Sequence, residues 1–236
     1  ASQVNIIAKA TTGVVTATVG LDTADNLITN LADAKGTDAL TLTVTGAATA
    51  KKLSDLDKLT SVKVDATALT SISGSAADIK AVLAAKTTIG LAPSVPVTVD
   101  GTVSASDISA ILKGTSGIVT ATVNGATAAA LKAALSSADV NDALTLTVNG
   151  STATAADLIA LDGKTSVVVQ VDASSVTGSI ADLINVYVTN VNNFAGLGDE
   201  AVTISGTVSA ANADAIATET TGKVTATVAA DTADVL

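Results

Sequence analysis

Residues 142–166 read DALTLTVNGSTATAADLIALDGKTS, and the fold is decided in this stretch. In LTLTV, ending at Val148, Thr alternates with apolar residues, the period of two that marks a strand with one buried face. Asn149-Gly150 favours positive φ and predicts a corner. STAT is a short extended piece, AADLIAL a short helix, and DGKTS a loop that returns the chain to the next strand. One unit therefore reads strand, corner, extended piece, helix, return.

The same order of signals recurs along the chain. VTATV ends at Val19, Val123 and Val228, spacings of 104 and 105 residues, and DALTLTV ends at Val44 and Val148, 104 apart. DGTVSASD, from Asp100 to Asp107, has its counterpart in SGTVSAAN, from Ser205 to Asn212. This divides the sequence into modules 1–103, 104–208 and 209–236, the last incomplete, and predicts a window on a longer array. Within the modules, strand-like segments are expected to end at Val19, Val44, Val64, Val99, Val123, Val148, Val171, Ile204 and Val228.

Helix starts carry a spacing of their own. At six expected helix starts a hydroxyl or Asp stands three residues before an Asp: Asp22 with Asp25, Ser75 with Asp78, Ser104 with Asp107, Thr154 with Asp157, Ser179 with Asp182, and Asp231 with Asp234. The first residue of each pair is predicted to cap free N–H groups, and the second to sit in the positive field of the first turn. Apolar residues follow at helical spacing, as in Ile79, Val82 and Leu83, or Ile108, Ile111 and Leu112. Gly13, Gly114, Gly117 and Gly222 are expected to end helices or turn the chain into the next strand.

A strand-plus-helix unit of this size cannot bury its apolar face alone, whereas stacked copies can. The expected fold is an α/β repeat, a solenoid of strand–turn–short-helix units of about 20–35 residues with a parallel sheet on one face. A parallel β-helix and tandem small α/β domains are the alternative architectures.

Composition excludes much chemistry. The 236 residues include 12 basic side chains, all Lys, and 22 acidic ones, for a formal charge of −10. His, Cys, Met, Trp and Arg are absent, and Tyr187 and Phe194 are the only aromatic residues. Without His or Cys there is no zinc, haem or iron–sulfur ligand set, no Ser-His-Asp or Cys-His triad, and no disulfide framework. Nucleic-acid binding lacks both its basic footprint and its stacking platforms. A mean hydropathy of +0.55 is too apolar for a solvated coil, yet polar residues interrupt every apolar run before a membrane span is reached. The N-terminal ASQVNIIAKATTG has no basic segment followed by an apolar one, which predicts a processed or truncated chain, or export without an N-terminal signal.

Three kinds of residue are candidates for a site. Asp199 and Glu200 are the acidic pair not explained by capping, and they are the candidate ligands for calcium. Outward Thr pairs at 16/18, 41/43, 120/122, 145/147 and 225/227 would suit an ice-binding face, but the aligned pairs Ser61/Lys63, Pro96/Thr98, Val168/Gln170 and Ala201/Thr203 break the file. Catalysis by paired carboxylates needs no His, but a cleft for it normally carries aromatic residues; no enzyme, catalytic residue or cofactor beyond calcium is expected. Asn149-Gly150-Ser151 matches a glycosylation sequon.

VTATV, DGTVSASD and the Ala-Ala-Asp-Leu-type helix starts resemble the Ala/Thr/Val/Asp-rich repeat regions of very large secreted or cell-surface bacterial proteins, namely adhesins, S-layer-like proteins and extracellular filament proteins. The resemblance implies a structural segment of an extracellular scaffold, fibre or surface layer. A calcium-dependent adhesion module is the alternative, and an ice-binding solenoid the second. The partners implied are further copies of the array, head to tail, with a cell-surface glycan or a neighbouring cell as others.

Overall fold

A computed structural model describes residues 1–230. The helix start predicted at Asp231, with Asp234 in its first turn, therefore lies outside the described residues: neither the cap at Asp231 nor the place of Asp234 is seen. The fold is α/β, with helices α1 (Ser2–Ala10), α2 (Ala24–Asn30), α3 (Ala50–Asp57), α4 (Ala76–Ala84), α5 (Ala105–Leu112), α6 (Ala128–Ala134), α7 (Ala155–Asp162), α8 (Ile180–Ile184) and α9 (Ala210–Ala217). The chain divides into two compact units. Residues 1–103 with 110–121 form the first; residues 104–109, with those from 122 onward, form the second.

In the first unit, Asp22–Thr23, Thr43–Thr49, Val64–Gly74 and Val97–Val103 lie side by side in chain order. In the second, the order is Ala153–Thr154, Ser175–Ser179, Ala201–Val208 and Val224–Val228. A shorter ladder runs beside it through Thr147–Val148, Val169–Val171 and Phe194–Ala195. These pairings are parallel, as a helix between successive strands requires. In register, Ala153, Val176, Val202 and Val224 stack along one line, the first three of them buried. Helices and their C-caps answer with residues three or four apart: Leu27 and the C-cap Leu31, Leu53 and Leu56, Leu131 and the C-cap Leu135, Leu158 and Leu161, all fully buried. Each such side chain is worth about 1.5–3 kcal/mol of transfer free energy.

Several strand boundaries differ from those expected. Val44, Val99 and Ile204 lie inside strands, Val64 opens one, and Thr16–Thr18 stops one residue short of Val19. The corners explain this. Gly46, Gly101 and Gly206 take φ of 78, 72 and 83°, conformations that favour glycine, so the chain bends without leaving the ladder. Gly150 turns the expected corner at φ 117°, whereas Gly125 has no positive φ. A Cβ on Gly125 would fall 2.4 Å from Asn149 Nδ2, the end of an exposed side chain free to move aside. Gly117 and Gly222 do not end helices but lie in the bends that lead into the strands starting at Val119 and Val224. A Cβ on Gly117 would lie 2.4 Å from the carbonyl oxygens of Ser94 and Val95, and one on Gly222 2.0 Å from that of Glu200.

Every side-chain helix cap among the described residues is a hydroxyl, and α1 alone starts, after Ala1, without a side-chain cap. Ser75, Ser104, Thr154 and Ser179 accept from the backbone N–H three residues on, as the spacing predicts, with Asp78, Asp107, Asp157 and Asp182 in the first turns. In three of these the cap hydroxyl also donates to the Asp carboxylate at 2.7 Å, so the carboxylate orients the cap itself. Asp22 is a correction: Thr23 caps α2 by accepting from Asn26 N–H, while Asp22 stands just outside and accepts from Thr23 N–H and Asn26 Nδ2. Asp25 keeps its first-turn place and pairs with Lys52. Thr49, Thr127 and Ser209 cap α3, α6 and α9 with no Asp three residues later, which is why the spacing misses them. The caps recur in pairs, Thr23 with Thr127, Thr49 with Thr154, Ser75 with Ser179 and Ser104 with Ser209, each pair 104 or 105 residues apart.

A second set of hydroxyls grips the return loops. Buried Thr165 donates to the Leu144 carbonyl at 2.7 Å and accepts from the N–H groups of Leu144 and Val167, both at 3.0 Å. Ser166 adds two bonds to the Asp142 carbonyl, from its N–H and its hydroxyl. Thr60 and Ser61 make the same set on Leu40 and Asp38. Thr115-Ser116 grips Pro93 and Val95, and Thr220-Thr221 grips Gly198 and Glu200. Each grip satisfies backbone groups that strand pairing leaves open. Thr165→Val keeps the shape and removes the hydroxyl, leaving the buried N–H and carbonyl of Leu144 and the half-buried N–H of Val167 short of a partner. It is expected to lower unfolding free energy by about 1–3 kcal/mol, while Thr120→Val at an exposed strand position stays within about 0.5 kcal/mol; urea midpoints of the two variants check this.

Candidate functional site

The acidic pair singled out by sequence separates in space. Asp199 is exposed, and its side chain makes no hydrogen bond or ion pair among the described residues. Glu200 is buried at 4% exposure, and its carboxylate is fully engaged. One oxygen accepts from the Tyr187 hydroxyl, and the other from the N–H groups of Gly198 and Asp199 at 2.8 and 3.2 Å. Its backbone carbonyl accepts from Thr220. Burial, followed by the hydrogen bond to Glu200, pushes the Tyr187 phenol well above the ordinary tyrosine range, so it stays protonated and donating. Asp172, Ser174, Gly196 and the acidic pair line a shallow cleft of about 440 Å³. Among the described residues no group of three or more acidic side chains is placed to hold a metal ion.

The 104-residue spacing of the sequence shows where this pair comes from. Tyr187 stands 104 residues after Leu83 and Glu200 stands 105 after Val95, both of them buried. Apolar residues in the first module are thus matched by a hydrogen-bonded pair in the second. Gly198 corresponds to Pro93, which has no N–H and needs no acceptor there. The change of offset is absorbed by one turn of π-helix, Asn185–Thr189, after α8. Asn190 N–H bonds back five residues to the Asn185 carbonyl, where Ala85 N–H bonds back four to Ala81.

Asp38 is another buried carboxylate that serves the backbone. It accepts from Val15 N–H and Lys35 N–H, both at 2.8 Å. The Val15 bond, acting against burial, holds its carboxyl below the ordinary aspartate range. Asp142, 104 residues on, is also buried and accepts from Asp139 N–H.

The expected threonine file is broken as the sequence suggests. Thr18 pairs with Thr41, but Thr147 meets Gln170 and then Ala195. Another file is complete: Thr154, Thr177, Thr203 and Thr225 stand in register on four adjacent strands. Sequence spacing hides it because these residues sit in strands of unequal length. No helix among the described residues is long and apolar enough to cross a membrane. No family model, curated protein or solved structure matches the chain.

Two expectations follow. Tyr187→Phe strips a donor from a buried carboxylate and should cost about 1–3 kcal/mol. In a double-mutant cycle, Tyr187→Leu with Glu200→Val, the first module's residues, should be less destabilised than the sum of the singles by about 0.5–3 kcal/mol, read from urea midpoints. For Asp38, the folded state holds the lower pKa, so the unfolded chain takes up more protons in acid. The stabilisation is full above the unfolded value of about 3.9 and is lost as pH falls through the folded one. Asp38→Asn should therefore be less stable than the parent at neutral pH, with a shallower decline of urea midpoint below about pH 4.

Proposed function

We propose that this chain is a structural segment of an extracellular bacterial scaffold, fibre or surface layer, built as an α/β solenoid. The observation that carries the reading is the recurrence of the same two hydroxyl devices, the helix caps and the return-loop grips, at offsets of 104 and 105 residues. Each grip ties one return loop to backbone 20 to 24 residues earlier. The fold is thereby assembled from near-neighbour contacts, the condition under which length is added by repetition. The function is mechanical, with parallel ladder bonds and aliphatic stacking carrying load and no chemistry required of any side chain. The resemblance to Ala/Thr/Val/Asp-rich arrays of the bacterial surface supports the location, and depletion of Arg, His, Cys and Met fits a material made in bulk.

Electron microscopy of the native material on cells tests the proposal. Uniform fibres or a continuous layer labelled by antibody to this chain are expected. Isolated particles confined to the cell interior would overturn it.

A further inference from the structure

The first unit holds a cluster of lysines with nothing to pair with. Most lysines of the chain are engaged: Lys51 and Lys58 with Asp55, Lys52 with Asp25, Lys132 with Asp157, and Lys35 and Lys164 on backbone carbonyls. Among the described residues, the side chains of Lys9, Lys63, Lys86, Lys113 and Lys223 make no hydrogen bond or ion pair. Three of these five surround one place. Lys63 and Lys86 line a cleft of about 230 Å³ whose floor includes Leu83, Ile89 and Leu91. Lys86 and Lys113 line the hollow adjoining it across Gly114. Glycine keeps the cleft open, since a Cβ on Gly90 would lie 3.2 Å from Lys63 Cε, and one on Gly114 2.9 Å from Leu83 Cδ1.

The second unit answers with the opposite sign at the corresponding edge. At 105 residues beyond Lys63, Lys86 and Lys113 stand Val168, Val191 and Thr218; beyond Ser94 and Gly114 stand Asp199 and Glu219. Asp199 and Glu219 belong to one loop edge, as Thr221 N–H bonds the Gly198 carbonyl and a Cβ on Gly198 would lie 3.8 Å from the Glu219 carbonyl. Among the described residues both acidic side chains are without a partner, and Asp214 is a third in the same unit. Counted over whole units, the first has nine Lys against nine Asp and is neutral; the second has three Lys against thirteen acids and carries all of the −10.

We propose that the Lys63/Lys86/Lys113 cleft is an interaction surface for a second copy of this chain, receiving the Asp199/Glu219 edge of that copy's second unit. The inference rests on the scaffold reading and names its partner. Repetition supplies the site, because the two edges occupy equivalent positions one module apart. Charge is the difference between them, and its opposite sign draws the edge of one copy to the cleft of another. Net repulsion between acidic chains does not prevent this, since at physiological ionic strength fields reach only about 8 Å and the facing patches decide the interaction.

The experiment is sedimentation of the full 236-residue chain at about 0.15 M salt. Reversible self-association is expected, weakened at about 1 M salt, where screening shortens to about 3 Å. Lys63→Glu/Lys86→Glu/Lys113→Glu and Asp199→Lys/Glu219→Lys should each weaken it at least about tenfold, with unchanged circular dichroism. A one-to-one mixture of the two variants should associate again, because the variant cleft is acidic and the variant edge basic. Lys9→Glu/Lys223→Glu, outside the cleft, should associate like the parent. A parent chain that stays monomeric, or a triple variant that associates as the parent does, overturns the inference while leaving fibres or layers seen on cells as evidence for the scaffold. A monomeric parent that binds dextran sulfate through the three lysines assigns the cleft to an anionic glycan instead, and also overturns it.

Discussion

The structure depends on one requirement: a backbone that returns repeatedly to the same side of a parallel sheet must satisfy its polar groups at every return. Threonine meets it here. A single hydroxyl at Thr165 or Thr60 serves both the donor and the acceptor of a residue some twenty positions earlier and also fixes the turn it sits in. The neighbouring Ser or Thr doubles the attachment. With the return loops fixed, the strands that follow enter in parallel register, and the aliphatic stack from Ala153 through Val202 becomes continuous. Where the gripped backbone comes closest, at Gly117 and Gly222, no side chain fits at all.

The same arrangement tolerates local change because each contact is with a near neighbour. One extra residue in the second module is taken up in a single π-helical turn, and the chain is back in step by Asn193, whose side chain bonds Asp162 as Thr88 bonds Asp57 one module before. Tyr187 and Glu200 in place of Leu83 and Val95 put a hydrogen-bonded pair where apolar side chains stood. A carboxylate can stay in that interior because three donors meet it, two from the backbone. Its neighbour Asp199, one residue away, remains outside and unspent.

Much of this is legible in sequence. Burial alternation and the order of signals in residues 142–166 are seen, with Ala153–Thr154 pairing as a strand and α7 starting at Ala155, but LTLTV is broken at Leu146 into two strands, Ala143–Thr145 and Thr147–Val148, that belong to different sheets. Four of the six cap pairs stand as the spacing predicts. Of the other two, the pair of Asp231 and Asp234 falls beyond the described residues, and Asp22 yields its place to Thr23. Spacing weighs Asp and Thr equally as caps when the two are adjacent, yet hydroxyls cap all eight side-chain-capped helix starts among the described residues. Strand ends are misplaced in sequence because a glycine at positive φ signals a corner, and a corner is not always a stop. The Thr-Ser grips read only as loop. Nothing in DGKTS distinguishes a solvated Thr from one whose hydroxyl reaches the preceding unit, since its partners are backbone groups that carry no sequence signature. Likewise adjacency groups Glu200 with Asp199, although alternation along the chain sends one inward and one outward.

The meagre composition is then a consequence of how each return is closed. Hydroxyl residues do three jobs, lining strands, capping helices and gripping returns, and none of these needs a large or aromatic side chain. Charge is left over for other uses. In the second unit nearly all of it is acidic, and part of it sits at helix starts, where the first-turn field favours it. In the first unit lysine balances it, and three of the lysines that find no carboxylate among the described residues line a cleft and the hollow adjoining it across Gly114. A sequence built on backbone-directed hydroxyls leaves its surface positions free to diverge, so stretches 104 or 105 residues apart keep the same caps and grips while their charge differs.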